Sequence, residues 1–169
     1  MPFRHDEIAE QLYILMPHAV SIETLAEYGL EVSSDQAQDI TRETLSLSLY
    51  WIASALRAHL SPKETARIFH ALRTRIDTAW EGDLGLGGHE RESYWREMEA
   101  RRQVYDEIIR NGGAPPSLYL EAAGVLESGQ TIHAEDRQKL LALFIDLIPE
   151  EQIGELAAEI EPADVAEER

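Results

Sequence analysis

The sequence predicts an all-α protein, a single-domain bundle of about seven or eight helices. Apolar residues recur at helical spacing along most of the chain, and no segment shows a strand followed by a turn. Capping motifs, prolines and glycines divide the 169 residues into helices of ordinary length. We therefore expect one helical domain over residues 1–160, built around a buried central helix at 35–60.

The central helix is predicted from an uncharged run of thirteen residues, Thr44–Leu56. Two adjacent apolar stripes follow its helical periodicity, which is typical of a helix that is buried on both sides. This run contains serines and is shorter than the roughly 20 apolar residues of a membrane span, so the sequence predicts no membrane insertion. The first stripe comprises Ile40, Leu47, Trp51, Ala55 and Ala58, and the second comprises Leu45, Leu49, Ile52, Leu56 and Leu60.

Two shorter helices are expected before the central helix, at about residues 5–16 and 22–28. Ser21 can cap the second of them, and Gly29 is suited to the left-handed conformation that often ends a helix. A Ser-x-x-Gln capping box at 33–36 then predicts the start of the central helix.

The segment Ser61-Pro62-Lys63-Glu64 is the clearest local signal, because it combines a capping box with proline at the first helical position. A fourth helix should follow with almost no connection, so residues 35–80 are predicted to form an αα-hairpin. Its expected buried face comprises Ala66, Phe69, Leu72, Ile76 and Ala79, together with Trp80.

Glycines and prolines delimit the rest of the chain. The glycine-rich stretch 81–89 is expected to be a flexible connector, and 112–116 is a possible boundary between subdomains. Residues 161–169 are expected to form a frayed acidic tail. Helices are predicted at about 90–110, 117–126, 134–147 and 149–160.

The formal net charge is −17, of which residues 112–169 contribute −10. Such a surface disfavours direct binding to nucleic acid or anionic membranes and is compatible with a basic protein partner. Solubility alone is the simpler explanation of the charge. The chain contains no cysteine, and its N-terminal residues lack the apolar stretch of a signal peptide. A cytoplasmic protein is expected.

The sequence shows no convincing catalytic, cofactor-binding or metal-binding pattern, which favours a protein that is not an enzyme. The loop Gly85–Gly88 follows a helix and has acidic neighbours, so it does not resemble a phosphate-binding loop. No histidine has the Glu-x-x-His spacing of bundle metal sites. Catalytic residues, cofactors and metal ligands are accordingly all predicted to be absent.

The fifth helix is the strongest candidate for a binding surface. Aromatic residues, methionine and arginine are enriched at protein interfaces, and they recur along this helix at 3-4 spacing. The alternative is that the stripe belongs to the core, since every helix of a bundle buries one face. Three favourable i,i+4 ion pairs, Glu92–Arg96, Glu97–Arg101 and Asp106–Arg110, would account for its charges. The candidate partner-binding residues are Tyr94, Trp95, Met98, Arg102 and Tyr105.

These observations predict a non-catalytic protein-interaction module that also self-associates as a homo-oligomer. It would act as an acidic helical adaptor, a chaperone-like binder or an inhibitor. One alternative is a small helical metal-dependent hydrolase, which would use clustered carboxylates. A further alternative is an acidic mimic of nucleic acid that occupies a basic DNA-binding surface.

Overall fold

The computed structural model describes residues 4–160, and within them the chain forms eight α-helices, one short 3-10 helix and no strand. The all-α prediction is therefore confirmed. The predicted acidic tail at 161–169 lies outside the described residues. The helices are α1 His5–Leu15, α2 Ile22–Glu27, α3 Ser34–His59, α4 Pro62–Ala79, α5 Arg91–Arg110, α6 Pro115–Ser128, α7 Arg137–Leu147 and α8 Glu150–Glu159, with the 3-10 helix Ala134–Asp136 before α7.

Helix α3 lies between two hydrophobic cores. The first core contains α1, α4, the start of α5 and α8, and the second contains α2, α6 and α7. The two stripes predicted on α3 separate accordingly, since Leu49 and Ile52 enter the first core and Ile40 and Leu47 enter the second. Burying each such side chain contributes about 1.5–3 kcal/mol. Ala58, assigned to the first stripe, is exposed instead.

Capping boxes mark the start of α3 and of α4, as the sequence predicts. The Gln36 amide N–H donates to Ser33 Oγ at 3.2 Å, and the Ser33 N–H donates to Gln36 Oε1 at 2.8 Å. The same reciprocal pair joins Ser61 and Glu64 at 3.2 and 3.3 Å. Because these bonds satisfy amides that have no intrahelical partner, they fix where the chain turns from α3 into α4.

Helix α4 packs on α1 and contacts α3 less extensively. Its buried face therefore includes Ile68, which the predicted stripe omits. Ala66 is exposed, so its assignment to the buried face was wrong, whereas Phe69 is half-buried and packs against the first core.

The connector between α4 and α5 is anchored to the first core, in contrast to the flexible loop that its glycines predict. Leu84 and Leu86 are buried in this core. Gly85 supplies the positive φ of +61° that the turn requires. The Leu86 N–H donates to the Trp80 carbonyl at 2.8 Å, and Trp80 Nε1 donates to the His89 carbonyl at 3.0 Å. The connector thus holds the first turn of α5 against the core.

The helices that follow Gly112 pack on the same central helix. Residues of α6 and α7, among them Tyr119 and Phe144, form the second core with α3. Helix α8 returns to the first core through Ile153 and Ala157 and contacts both α1 and α3. Both sides of α3 are consequently covered by segments from distant parts of the chain.

Candidate functional site

An open groove of about 850 Å³ lies between α4 and α5, above the C-terminal half of α3. We call it the α4–α5 groove. Its floor and walls are largely apolar, and charged side chains stand along its rim. The apolar lining comprises Ala53, Pro62, Ala66, Phe69, Trp95 and Met98. The remaining lining residues are Thr65, His70, Arg57, Arg73, Arg96, Arg102, Glu92 and Glu99.

The groove exists because the two helices that form its walls, α4 and α5, pack mainly on different helices of the bundle. Helix α4 rests on α1, whereas α5 is fastened to α3. One fastening is a buried hydrogen bond of 3.0 Å between the Tyr94 and Ser46 hydroxyls. Another is the ion pair between Arg101 and Glu43. The opposite side of α5 therefore faces the open space beside α4.

The ion pair between Glu43 and Arg101 is mostly buried. Arg101 Nη2 lies 2.9 Å from Glu43 Oε1, and Arg101 Nε lies 3.2 Å from both carboxylate oxygens. The Glu43 side chain is 11% exposed and the Arg101 side chain 25%. Burial raises the pKa of Glu43, while the guanidinium of Arg101 opposes that rise. These hydrogen bonds hold α5 in a fixed position against α3.

The three ion pairs predicted within α5 are wrong for the part of the chain that the structure describes. Arg101 binds Glu43 of α3, and Asp106 pairs with Arg102, four residues before it, at 3.1 Å. Glu97 likewise pairs with Arg42 of α3, so contacts to α3 replace the second of the predicted pairs and another pair within α5 replaces the third. Arg96 is left exposed and has no carboxylate partner among residues 4–160.

The five predicted partner-binding residues fall into two groups. Trp95, Met98 and Arg102 line the α4–α5 groove, and Trp95 and Met98 also belong to the first core, 7% and 8% exposed. Tyr94 and Tyr105 lie deeper, 1% and 0% exposed, and burial raises the pKa of both hydroxyls. Because a partner cannot reach these two tyrosines in the intact fold, we correct their assignment to core residues. Partner binding by the other three stays a prediction.

Trp95 is held rigidly in the groove wall. Its Nε1 donates to Asp77 Oδ1 at 2.9 Å. The Arg73 guanidinium carbon lies 4.7 Å from the ring centroid, within cation–π range. The ring also meets Tyr94 edge-to-face, with centroids 5.2 Å apart. These contacts fix an aromatic surface before any partner arrives.

The α4 side of the groove was missed by sequence reasoning. Phe69 was assigned to the buried face of α4, but it is half-buried and also lines the groove. Ala66, Phe69 and Arg73 nevertheless share one helical face, because they are three and four residues apart. That spacing was the available signal, and it could be interpreted only once the position of α1 was known.

The groove offers apolar surface and guanidinium groups, which suit recognition of an amphipathic surface. Comparisons with protein-family profiles, with curated proteins and with solved structures found no match. Among residues 4–160, no group of three or more histidines and carboxylates could hold a metal ion. No helix in that segment is long and apolar enough to cross a membrane.

Proposed function

We propose that this protein is a non-catalytic protein-interaction module and that the α4–α5 groove receives a segment of its partner. The observation that carries the proposal is the groove itself, which combines an apolar floor with a rim of arginines. Its volume of about 850 Å³ falls within the range of about 300–1,000 Å³ that is typical of ligand-binding clefts.

The composition of the groove resembles the centre of a protein interface. Tryptophan, arginine and methionine are enriched in such centres, and truncating the first two often causes the largest losses of affinity. Trp95 and Met98 form the wall on the α5 side, and Phe69 lies on the α4 side. Since the core and the Asp77 hydrogen bond already order Trp95, binding costs little side-chain entropy there.

The shape of the groove favours a helical segment as the occupant. The lining residues span Pro62 to Arg73 on α4 and Glu92 to Arg102 on α5, each about 15 Å at the rise of an α-helix. That length matches about ten residues, or three turns, of a bound helix. An extended segment would need backbone partners, and the backbone of α4 and α5 is already hydrogen-bonded within each helix. A helix satisfies its own backbone groups and presents apolar side chains to the floor.

The groove can be probed at Ala66, which is exposed and lines it. A benzophenone amino acid placed at His70, a second exposed residue of the lining, should crosslink one defined segment of one protein in lysate of the source cell. Ala66→Trp should fill the groove without removing a core side chain, and it should abolish this crosslinked complex. Ala100→Trp is the matched control, because Ala100 is exposed on α5 and does not line the groove.

Equal recovery of the partner by wild type and by Ala66→Trp would refute binding in the groove.

Self-association, which the sequence also predicts, is a separate proposal. Sedimentation velocity tests it directly, and loss of an oligomer in Ala66→Trp but not in Ala100→Trp would identify a second copy as the occupant. The net charge of −17 on each copy opposes this second outcome at low ionic strength.

A further inference from the structure

We propose that the helix that fills the α4–α5 groove is acidic, with carboxylates on its polar face that pair with the arginines of the rim. This inference rests on the proposed function, because it specifies the chemistry of the partner at the same groove. Four arginines line the groove against two glutamates, although the whole chain carries a net charge of −17. The four arginines and two glutamates of the lining therefore sum to a formal charge of +2, opposite in sign to that of the whole chain.

Arg73 and Arg96 are the two cations that are most available to a partner. Arg73 belongs to α4 and Arg96 to α5, so they stand on opposite walls of the groove, and both are exposed. Neither forms an ion pair with a carboxylate among residues 4–160, since Arg73 lies over the Trp95 ring and Arg96 Nη2 donates to Ser93 Oγ at 3.3 Å. Incoming carboxylates can therefore pair with them without breaking an existing ion pair. The contact with the Trp95 ring keeps the Arg73 guanidinium beside the apolar wall.

The other two arginines are already partly neutralised. Arg102 binds Glu99 and lies 3.1 Å from Asp106, and Arg57 lies 3.8 Å from the same aspartate. A basic helix would have to place its ammonium or guanidinium groups near Arg73 and Arg96, where like charges repel. The basic partner that the total charge predicts is therefore suited to other surfaces of the molecule and not to this groove.

The acidic remainder of the surface does not cancel this local preference at physiological salt. Interactions between exposed charges are screened over about 8 Å at that ionic strength. Asp106 contacts Arg57 and Arg102 well within that distance, so the preference for carboxylates rests on Arg73 and Arg96. Selectivity for carboxylates should accordingly be local, and it should weaken as salt is added.

Three synthetic helical peptides of about fourteen residues test the inference with the full chain. They share one apolar face with leucines at i, i+3, i+4 and i+7, and their polar faces carry Glu, Gln or Lys. Fluorescence anisotropy of the labelled peptides measures each dissociation constant. We expect the Glu peptide to bind up to about tenfold more tightly than the Gln peptide, and the Lys peptide to bind most weakly. The advantage of the Glu peptide should shrink as salt is added.

A double variant, Arg73→Gln with Arg96→Gln, should remove the preference for the Glu peptide. Its matched control is Arg67→Gln with Arg110→Gln, which changes the net charge equally on the same two helices outside the groove. The control should keep the preference. An equal loss in both double variants would show that the total charge, and not the rim of the groove, selects the peptide, and it would overturn the inference.

The other outcomes separate this inference from the proposed function. Equal binding of all three peptides, abolished by Ala66→Trp, would overturn the inference that the partner is acidic and leave the groove as a binding site. Tightest binding of the Lys peptide would also overturn that inference and leave the groove as a binding site. Failure of every peptide to bind at millimolar concentration would overturn both. In a further outcome, decanoate is the only probe that binds, in a saturable manner that is lost in Ala66→Trp. This result would identify a small amphipathic anion as the occupant and overturn the proposal that a helix fills the groove.

Discussion

Replacing Arg101 by methionine should destabilise the fold, because it leaves the buried carboxylate of Glu43 without its guanidinium partner. Removing one member of a buried ion pair costs about 3–5 kcal/mol. We expect the lower end, about 3 kcal/mol at pH 8, because water reaches the 25% of the Arg101 side chain that is exposed. In a chain of this size such a loss lowers Tm by about 6–12 °C.

The loss should be smaller at pH 5 than at pH 8. Burial raises the pKa of Glu43 in the folded state, and Arg101 acts against that rise. An acid with a raised pKa binds its proton more tightly in the folded protein, so its stabilising contribution is complete below the unfolded pKa and is lost as pH rises through the folded pKa. Without Arg101 the pKa of Glu43 rises further, and at pH 5 the carboxyl can take up a proton and avoid a buried charge.

Urea unfolding followed by circular dichroism at 222 nm, at both pH values, measures the effect. Arg110→Met is the control, because Arg110 is exposed at the end of α5, and it should stay within about 0.5 kcal/mol of wild type. The double variant Glu43→Leu with Arg101→Met should recover most of the loss, since an apolar pair needs no compensating charge. The reasoning fails if Arg101→Met is no less stable than Arg110→Met, or if its loss is greater at pH 5.

Three further predictions concern the core, a helix cap and alkaline pH. Tyr105→Ala should lower the free energy of unfolding in urea by about 3–5 kcal/mol, because the side chain is fully buried. An unchanged free energy of unfolding would contradict this assignment to the core. Ser61→Ala should cost about 1 kcal/mol by loss of the cap on α4, and retention of the wild-type midpoint would contradict that role. Burial and the hydrogen bond to Asp83 raise the pKa of Tyr13 to about 12. Its stabilising contribution is therefore lost as pH rises from about 10 to 12, and Tyr13→Phe should lose less stability over that interval than wild type.

The parts of the fold that sequence could predict depend on residues close together in the chain. The boxes at Ser33 and Ser61 each join groups three residues apart, so the bonds could be inferred from spacing alone. Gly29 adopts the expected positive φ of +80° at the end of α2 for the same local reason. The two stripes of α3 could also be predicted, because a two-sided apolar helix has few environments open to it other than the centre of a bundle.

The groove depends on which side chains are buried and which charged groups pair, and spacing within one helix determines neither. Phe69 and Ile68 are both apolar, and only the position of α1 decides which of them is buried. Tyr94 and Trp95 are adjacent aromatics of the first core, yet only Trp95 also lines the groove. Arg101 has an acceptable partner four residues away but pairs with Glu43, 58 residues distant. Each case is settled by the packing of separate helices, which the pattern within one helix does not encode.

The two-sided burial of α3 has a consequence for synthesis. The stripes of α3 leave the ribosome well before the segments that cover them, since Phe144 and Ile153 are among the last residues to join the two cores. About 100 residues separate the end of α3 from the end of α8, which corresponds to about 5–20 s of translation. During that interval both apolar faces of the nascent helix are incompletely covered. The yield of native protein should therefore depend on how fast the C-terminal helices are made, and on holdase chaperones that shield α3 until they arrive.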